Sequence, residues 1–144
     1  IEELMLPKDM TITIGEGMPT LQANPTMLRQ VFANLIENGI KYRNVEKEGL
    51  ITITVEEIGE YYRFVVKDNG VGIDPKFHEK IFGMFQTLTP RDKNESTGVG
   101  LTIVKKIIQY HGGTIDLDSQ VGQGASFMFT WPKTVSSEKI INNK

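Results

Sequence analysis

Residues 50–70, LITITVEEIGEYYRFVVKDNG, constrain the fold more than any other stretch of the chain. β-branched and aromatic side chains alternate with polar ones on both sides of a tight turn at Glu57–Glu60, as in two antiparallel strands, the second ending at Asp68. A second pair, TIDLD and ASFMFTW, is joined across SQVGQG. Strand follows strand twice without regular strand–helix–strand alternation. That order favours an α+β fold, a two-layer sandwich with about three helices on one face of a mixed, mostly antiparallel sheet. The period-two alternation is then the mark of a sheet with one buried and one solvated face.

The helices have their own signals. Asn24 and Pro25 make a helix start, an amide acceptor at the cap followed by a residue whose missing N–H costs nothing there. From that point Leu28, Val31, Phe32, Leu35, Ile36 and Gly39 recur at helical spacing and define a buried face. Asn34, Asn38 and Lys41 fall in a narrow stripe on the opposite face, with Glu37 at its edge. A shorter helix is expected to start at Asp74–Pro75, within DPKFHEKIFGMF. A last helix carries Leu101, Val104, Ile107 and Ile108 on one side and stops at His111–Gly112–Gly113. Residues 86–97, QTLTPRDKNEST, have no apolar period and read as a polar, mobile loop. Upstream, MTITIGEGMPTLQANP offers two short extended segments broken at Gly15–Gly17, and the polar tail from Thr134 divides the chain into a domain at 1–133 and a tail at 134–144.

Length and charge narrow the function. The 144 residues suit one core, and a net charge of -2 gives no basic footprint for nucleic acid. No apolar run reaches the length of a membrane span, and no stretch of these residues is expected to be a signal peptide. The lack of cysteine excludes a disulfide scaffold and a thiolate metal site and fits a reducing compartment. The first residue is Ile1 rather than methionine, so the chain is expected to be a fragment of something longer.

Three stations then carry chemistry. In VFANLIENGIKYR two asparagines and a glycine weaken a helix, at roughly 0.6 and about 1 kcal/mol each against alanine. Taken alone, this stretch reads first as a solvated helix face, although such a face would normally use better helix formers. A neutral amide oxygen would also suit magnesium, which takes few protein ligands and shares a triphosphate. The second station, DNGVGI at 68–73, is a turn by default, but Gly70 and Gly72 allow close backbone approach to a flat ligand and Asp68 is an acceptor for an amino group. The third, STGVGL at 96–101, is a flexible loop-to-helix junction by default, but the first N–H groups of the helix it enters could receive an anion. It is neither a Walker A loop nor a dinucleotide fingerprint.

Taken in order, these stations resemble the catalytic, ATP-binding domain of bacterial-type sensor histidine kinases, a branch of the Bergerat-fold superfamily shared with gyrase, Hsp90 and MutL. The resemblance covers residues 8–132. NLIENGIKY is similar to the family's asparagine box, DNGVGI to its first glycine box, IFGMF (Phe82, Phe85) to its phenylalanine box and TGVGL to its second glycine box. HGGTIDLDSQVGQGASFMFTWP is similar to the closing hairpin, and PKFHEKIFGMFQTL looks most like phytochrome-type kinases.

The resemblance implies ATP and magnesium as cofactors. It implies that Asn38 ligates the metal, Lys41 contacts phosphate and Tyr42 flanks the nucleotide. Asp68 would accept from the adenine amino group in a pocket shaped by Gly70, Gly72 and Ile73. Phe85, Thr97, Gly98, Val99, Gly100 and Leu101 would complete the nucleotide surround, with Arg43 and Arg91 as further phosphate contacts. Asn34 and Lys41 would serve catalysis. Ser96 stands where the family commonly has glycine, Val99 replaces the usual leucine, and Gly39 stands where alanine is more frequent.

The implied activity is transfer of the ATP γ-phosphoryl to a histidine on a separate dimerisation domain of the same or a partner chain, with a response regulator downstream. Neither nucleic acid nor membrane contact is expected of this domain, and the expected location is cytoplasmic. Two other classes stay open at this point. A clamp ATPase like the gyrase relatives would carry a water-activating glutamate where this chain has Asn34, and an amide cannot take that proton. A non-catalytic nucleotide sensor would keep the same boxes. His78 and His111 are the only histidines, and they read as a surface residue and a helix C-cap rather than phosphoacceptors.

Overall fold

The structure, a computed structural model, describes residues 7–21, 23–82 and 98–134. Strand β1 (Met10–Ile14) is followed by helix α1 (Pro25–Lys41), the hairpin of β2 (Gly49–Ile58) and β3 (Tyr61–Asp68), helix α2 (Gly98–Tyr110), and the hairpin of β4 (Ile115–Ser119) and β5 (Ala125–Pro132). The five strands form one sheet in the order β1-β2-β3-β5-β4. Only β1 and β2 run parallel, joined by the crossover through α1; the other neighbours are antiparallel. Pairing of Ile58 with Tyr61 closes the first hairpin tightly at Gly59–Glu60.

Alternation decides which side is covered. On β2 and β3, Ile51, Ile53, Phe64 and Val66 are buried, and on β5 Phe127, Phe129 and Trp131 are. Both helices lie on that side, α1 through Val31, Leu35 and Ile36 and α2 through Val104 and Ile108. Phe32 sets its ring edge against Phe64 at 5.5 Å and Phe129 at 5.4 Å, while Phe64 and Phe129 stack at 5.1 Å. Such offset and edge contacts add about 0.5–1.5 kcal/mol per pair to the area buried.

α1 begins as its sequence directs. The Asn24 Oδ1 accepts from the Thr26 and Met27 N–H groups at 2.9 and 3.2 Å. Asn24→Ala should therefore cost about 1 kcal/mol, read as a lower urea midpoint with an unchanged slope.

Two local expectations are corrected. Of the two extended segments upstream, only Met10–Ile14 is a strand; Gly17, at φ 82°, turns the chain out of the ladder, and Pro19 has no donor to offer another. The helix expected at Asp74–Pro75 is built as two 3-10 turns, Pro75–Phe77 and Lys80–Phe82. Phe77 N–H bonds to Asp74 O at 2.9 Å and His78 N–H to Pro75 O at 3.1 Å, the tighter spacing that short helical pieces adopt. Residues 83–97, which include the whole of the polar loop, and the tail beyond Thr134 lie outside the described residues.

Candidate functional site

Asp68 ends β3, beneath the last turns of α1. It is 8% exposed, and its Oδ1 accepts backbone N–H bonds from Gly70 at 2.9 Å and Ala125 at 3.3 Å. Burial raises the carboxyl above its ordinary pKa, and the two backbone bonds pull it partway back. Both donors converge on one oxygen, so Oδ2 is the atom left to meet a donor from outside.

The loop after Asp68 is held from three sides. Asn69 works as an amide clamp on the start of β2: its Oδ1 accepts from Leu50 N–H at 2.8 Å and its Nδ2 donates to Glu48 O at 3.0 Å. Val71 N–H bonds to Tyr42 O at 3.0 Å, and Val71 O accepts from Gly122 N–H at 2.6 Å. Ile73 N–H donates to the Ser119 hydroxyl at 2.7 Å.

This frame gives Gly70 and Gly72 a reason other than closeness to a ligand. A Cβ at Gly70 would meet Tyr42 O at 2.4 Å, and one at Gly72 would meet Gln120 O at 2.0 Å. Protein backbone fills the space that the missing side chains leave. Gly39 has a similar account. A Cβ added there would stand 3.0 Å from Ile51 Cδ1 and 3.5 Å from Asp68 Cβ, so the glycine lets the helix seat closely on the residue that ends β3.

α1 carries the remaining candidates past this point. Asn38 is half-buried, and its side chain makes no hydrogen bond to any described residue. Lys41 sets its Nζ over the Tyr42 ring at 5.5 Å. Asn34 is not a solvated residue: its Nδ2 donates to Gly100 O at 3.4 Å, tying the middle of α1 to the first turn of α2. Gly98, Val99, Gly100 and Leu101 form that first turn, whose N–H groups have no partner within the helix. From Asn34 to Tyr42 is eight residues of helix, about 12 Å at 1.5 Å per residue. One helix thus spans a carboxylate at one end and a row of backbone donors at the other, with amide and ammonium groups between.

Other candidates are placed elsewhere. Arg43 donates to Ile40 O at 2.8 Å and lies 3.9 Å from the Asp9 carboxylate, so it caps α1 rather than reaching toward the α2 turn. His78 donates through Nε2 to Ile73 O at 3.0 Å, and His111 through Nδ1 to Ile107 O at 2.8 Å while stacking on Trp131 at 4.5 Å. Both rings are used in packing. Phe85, Arg91, Ser96 and Thr97 lie outside the described residues.

A mixed sheet with helices on one face, a strand-end carboxylate and a donor-rich helix start linked by α1 define a nucleotide-binding ATPase fold. The family model for histidine kinase-, DNA gyrase B- and HSP90-like ATPases matches residues 23–135, and the chain belongs to that family. Cyanobacterial phytochrome A of Nostoc sp. is 49% identical over 117 residues, which are 81% of this chain and 15% of that relative's length. The catalytic domain of histidine kinase ThkA, in a nucleotide-free form, superposes with a TM-score of 0.73 at 33% identity, over 91% of this chain and 82% of that one. Full-length ShkA in complex with AMPPNP gives 0.72 at 30% identity, over 88% of this chain and 26% of that one. ThkA in complex with the response regulator TrrA gives 0.68 at 30% identity, over 88% of this chain and 35% of that one. No helix among the described residues is long and apolar enough to cross a membrane.

The residues that sequence reasoning passed over are Asn69, Ser119 and the turn from Gln120 to Gly124. A signal existed in Gly122 and Gly124, which repeat the alternation of Gly70 and Gly72 and face it in the structure.

Proposed function

We propose that this chain is the catalytic domain of a sensor histidine kinase and transfers the γ-phosphoryl of ATP to a histidine on a separate dimerisation domain. The observation that carries the reading is Asp68: a buried strand-end carboxylate with one oxygen saturated by backbone N–H groups, below a helix that leads to the donors of a second helix. Asp68 reads the adenine amino group through its other oxygen, and Ile73, buried behind the loop, backs the base site. Tyr42 flanks the nucleotide, Lys41 neutralises phosphate charge, and the first-turn amides of α2 receive phosphate oxygens.

The residues present fit magnesium. Asn38 offers a half-buried amide with no described partner, and no three His, Cys, Asp or Glu side chains gather among the described residues to bind a metal by themselves. That donor set suits a cation that shares ligands with a triphosphate, and Asn38 would hold it. When bound, the ion would neutralise charge on the phosphate oxygens.

In the transfer, an imidazole nitrogen of the acceptor histidine bonds to the γ-phosphorus as the bond to the β–γ bridging oxygen breaks. ADP leaves, and the proton of the attacked ring is released. Positioning and charge neutralisation supply most of such catalysis, so this domain needs no nucleophile of its own. The reading implies a cytoplasmic domain and a response regulator as the next acceptor, a role supported by the ThkA–TrrA complex.

The chain alone should bind magnesium–ATP in a calorimeter, release little phosphate and take no label from γ-labelled ATP. Addition of a helical dimerisation domain with its histidine should produce labelled phosphohistidine slowly, because the tether's effective concentration is missing. Rapid phosphate release by the chain alone would instead place it with the clamp ATPases. Asn34, an amide already donating to Gly100 O, speaks against that class.

A further inference from the structure

We propose that Ser119 is a positioning residue for recognition of the nucleotide base, acting through the Asp68–Ile73 loop; this rests on the ATP-binding reading above. Ser119 ends β4 and is buried, and no ligand could touch its hydroxyl without displacing protein. Its Oγ accepts the Ile73 N–H at 2.7 Å and donates to Gly124 O at 2.6 Å. A hydroxyl that is at once donor and acceptor in two short bonds fixes the separation of two backbones.

Those two backbones are the opposite walls around Asp68. Gly124 precedes Ala125, whose N–H donates to Asp68 Oδ1 at 3.3 Å. Ile73 ends the loop that Gly70 N–H ties to the same oxygen. Between them Val71 O accepts from Gly122 N–H at 2.6 Å. The Gln120–Gly124 turn therefore works as a backstop for the loop; Ser119 ties it to the Ile73 N–H, while His78 holds the Ile73 carbonyl. Loss of the hydroxyl lets Ile73 and the Asp68 carboxylate drift relative to each other. That degrades contact with the base and leaves the α2 turn, which α1 meets through Asn34, as it was.

The test uses the intact chain, adenosine as a probe of the base site and magnesium–ATP as a probe of the whole. Ser119→Ala should weaken adenosine and ATP alike, by about fivefold, the loss of one neutral buried hydrogen bond. The ratio of ATP to adenosine affinity should stay unchanged, and discrimination against GTP should fall. Amide exchange by NMR should show faster exchange at Ile73 with the β3–β5 ladder unaltered. A folded variant with wild-type adenosine affinity overturns the proposal. So does a fall in affinity accompanied by loss of protection across the ladder, which is general destabilisation. If Ser119→Ala does not fold, the wild-type chain decides: adenosine must slow exchange at Ile73, and no change there refutes the role. Wild-type chain that binds neither adenosine nor ATP would remove the underlying reading, an outcome distinct from the others.

Discussion

Asp68→Asn should give a chain that is more stable without nucleotide and binds ATP about ten- to a hundredfold more weakly. The second half follows from the loss of a charge-assisted hydrogen bond, roughly 1.5–3 kcal/mol. The first half follows from burial. Folding raises the Asp68 pKa above its ordinary value, chiefly by desolvation. A group raised in this way supports the fold fully below its unfolded-state pKa and loses that support as pH rises through the folded value. At neutral pH the ionised carboxylate therefore weighs against the fold. Asparagine keeps an oxygen for the Gly70 and Ala125 N–H groups and removes the charge. Thermal melts of the free chain should rise in the variant while calorimetric affinity falls. Wild-type ATP affinity should climb with pH through the Asp68 titration, and the variant should be flat over that window. GTP, with a carbonyl where adenine has its amino group, should bind wild type poorly. Equal affinities for ATP and GTP would sink the assignment of Asp68 to the base.

Gly72→Ala should be, with Gly124→Ala, among the most damaging added methyls at the described glycines. Gly72 has φ 82°, and its added Cβ would stand 2.0 Å from Gln120 O and 2.9 Å from Gln120 C. Backbone strain of about 1–3 kcal/mol and overpacking of similar size give a loss of roughly 2–6 kcal/mol. At this length that is about 10 °C in melting temperature. Gly122→Ala separates the two causes, because Gly122 has φ 86° with nothing within 4 Å of its added Cβ. Its loss should be the strain alone. Equal losses in the two variants would show that backbone conformation, rather than contact with the β4–β5 turn, accounts for Gly72. Nucleotide affinity should fall steeply only in the Gly72 variant, since that residue lies inside the loop between Asp68 and Ile73.

The legible parts of the fold were those governed by one local rule. Alternation placed both hairpins, and the Asn24–Pro25 cap placed α1 to the residue. What depended on a distant partner was hidden. The stripe of Asn34, Asn38 and Lys41 reads as one polar face, yet Asn34 is half-buried because α2 arrives from residues further along the chain. The first glycine pair was legible as close approach but not as approach to Tyr42 and Gln120, which only the tertiary fold brings near. Gly39 looked like a fault in a helix and is the contact that lets α1 rest on Ile51 and Asp68. Asn69 and Ser119 gave no sign, since a single amide or hydroxyl in a turn has many meanings until its partner is known.

One feature of the sheet bears on how copies of this domain live together. β4 lies at its margin, and Asp116 and Asp118 alternate along it on the solvent side while Ile115 and Leu117 turn inward. A marginal strand is a template on which a neighbouring chain can nucleate cross-strand growth. Here an approaching copy of the same strand would bring carboxylates against carboxylates, on a strand only 5 residues long. At this margin, charge repulsion therefore opposes pairing between like strands of crowded copies.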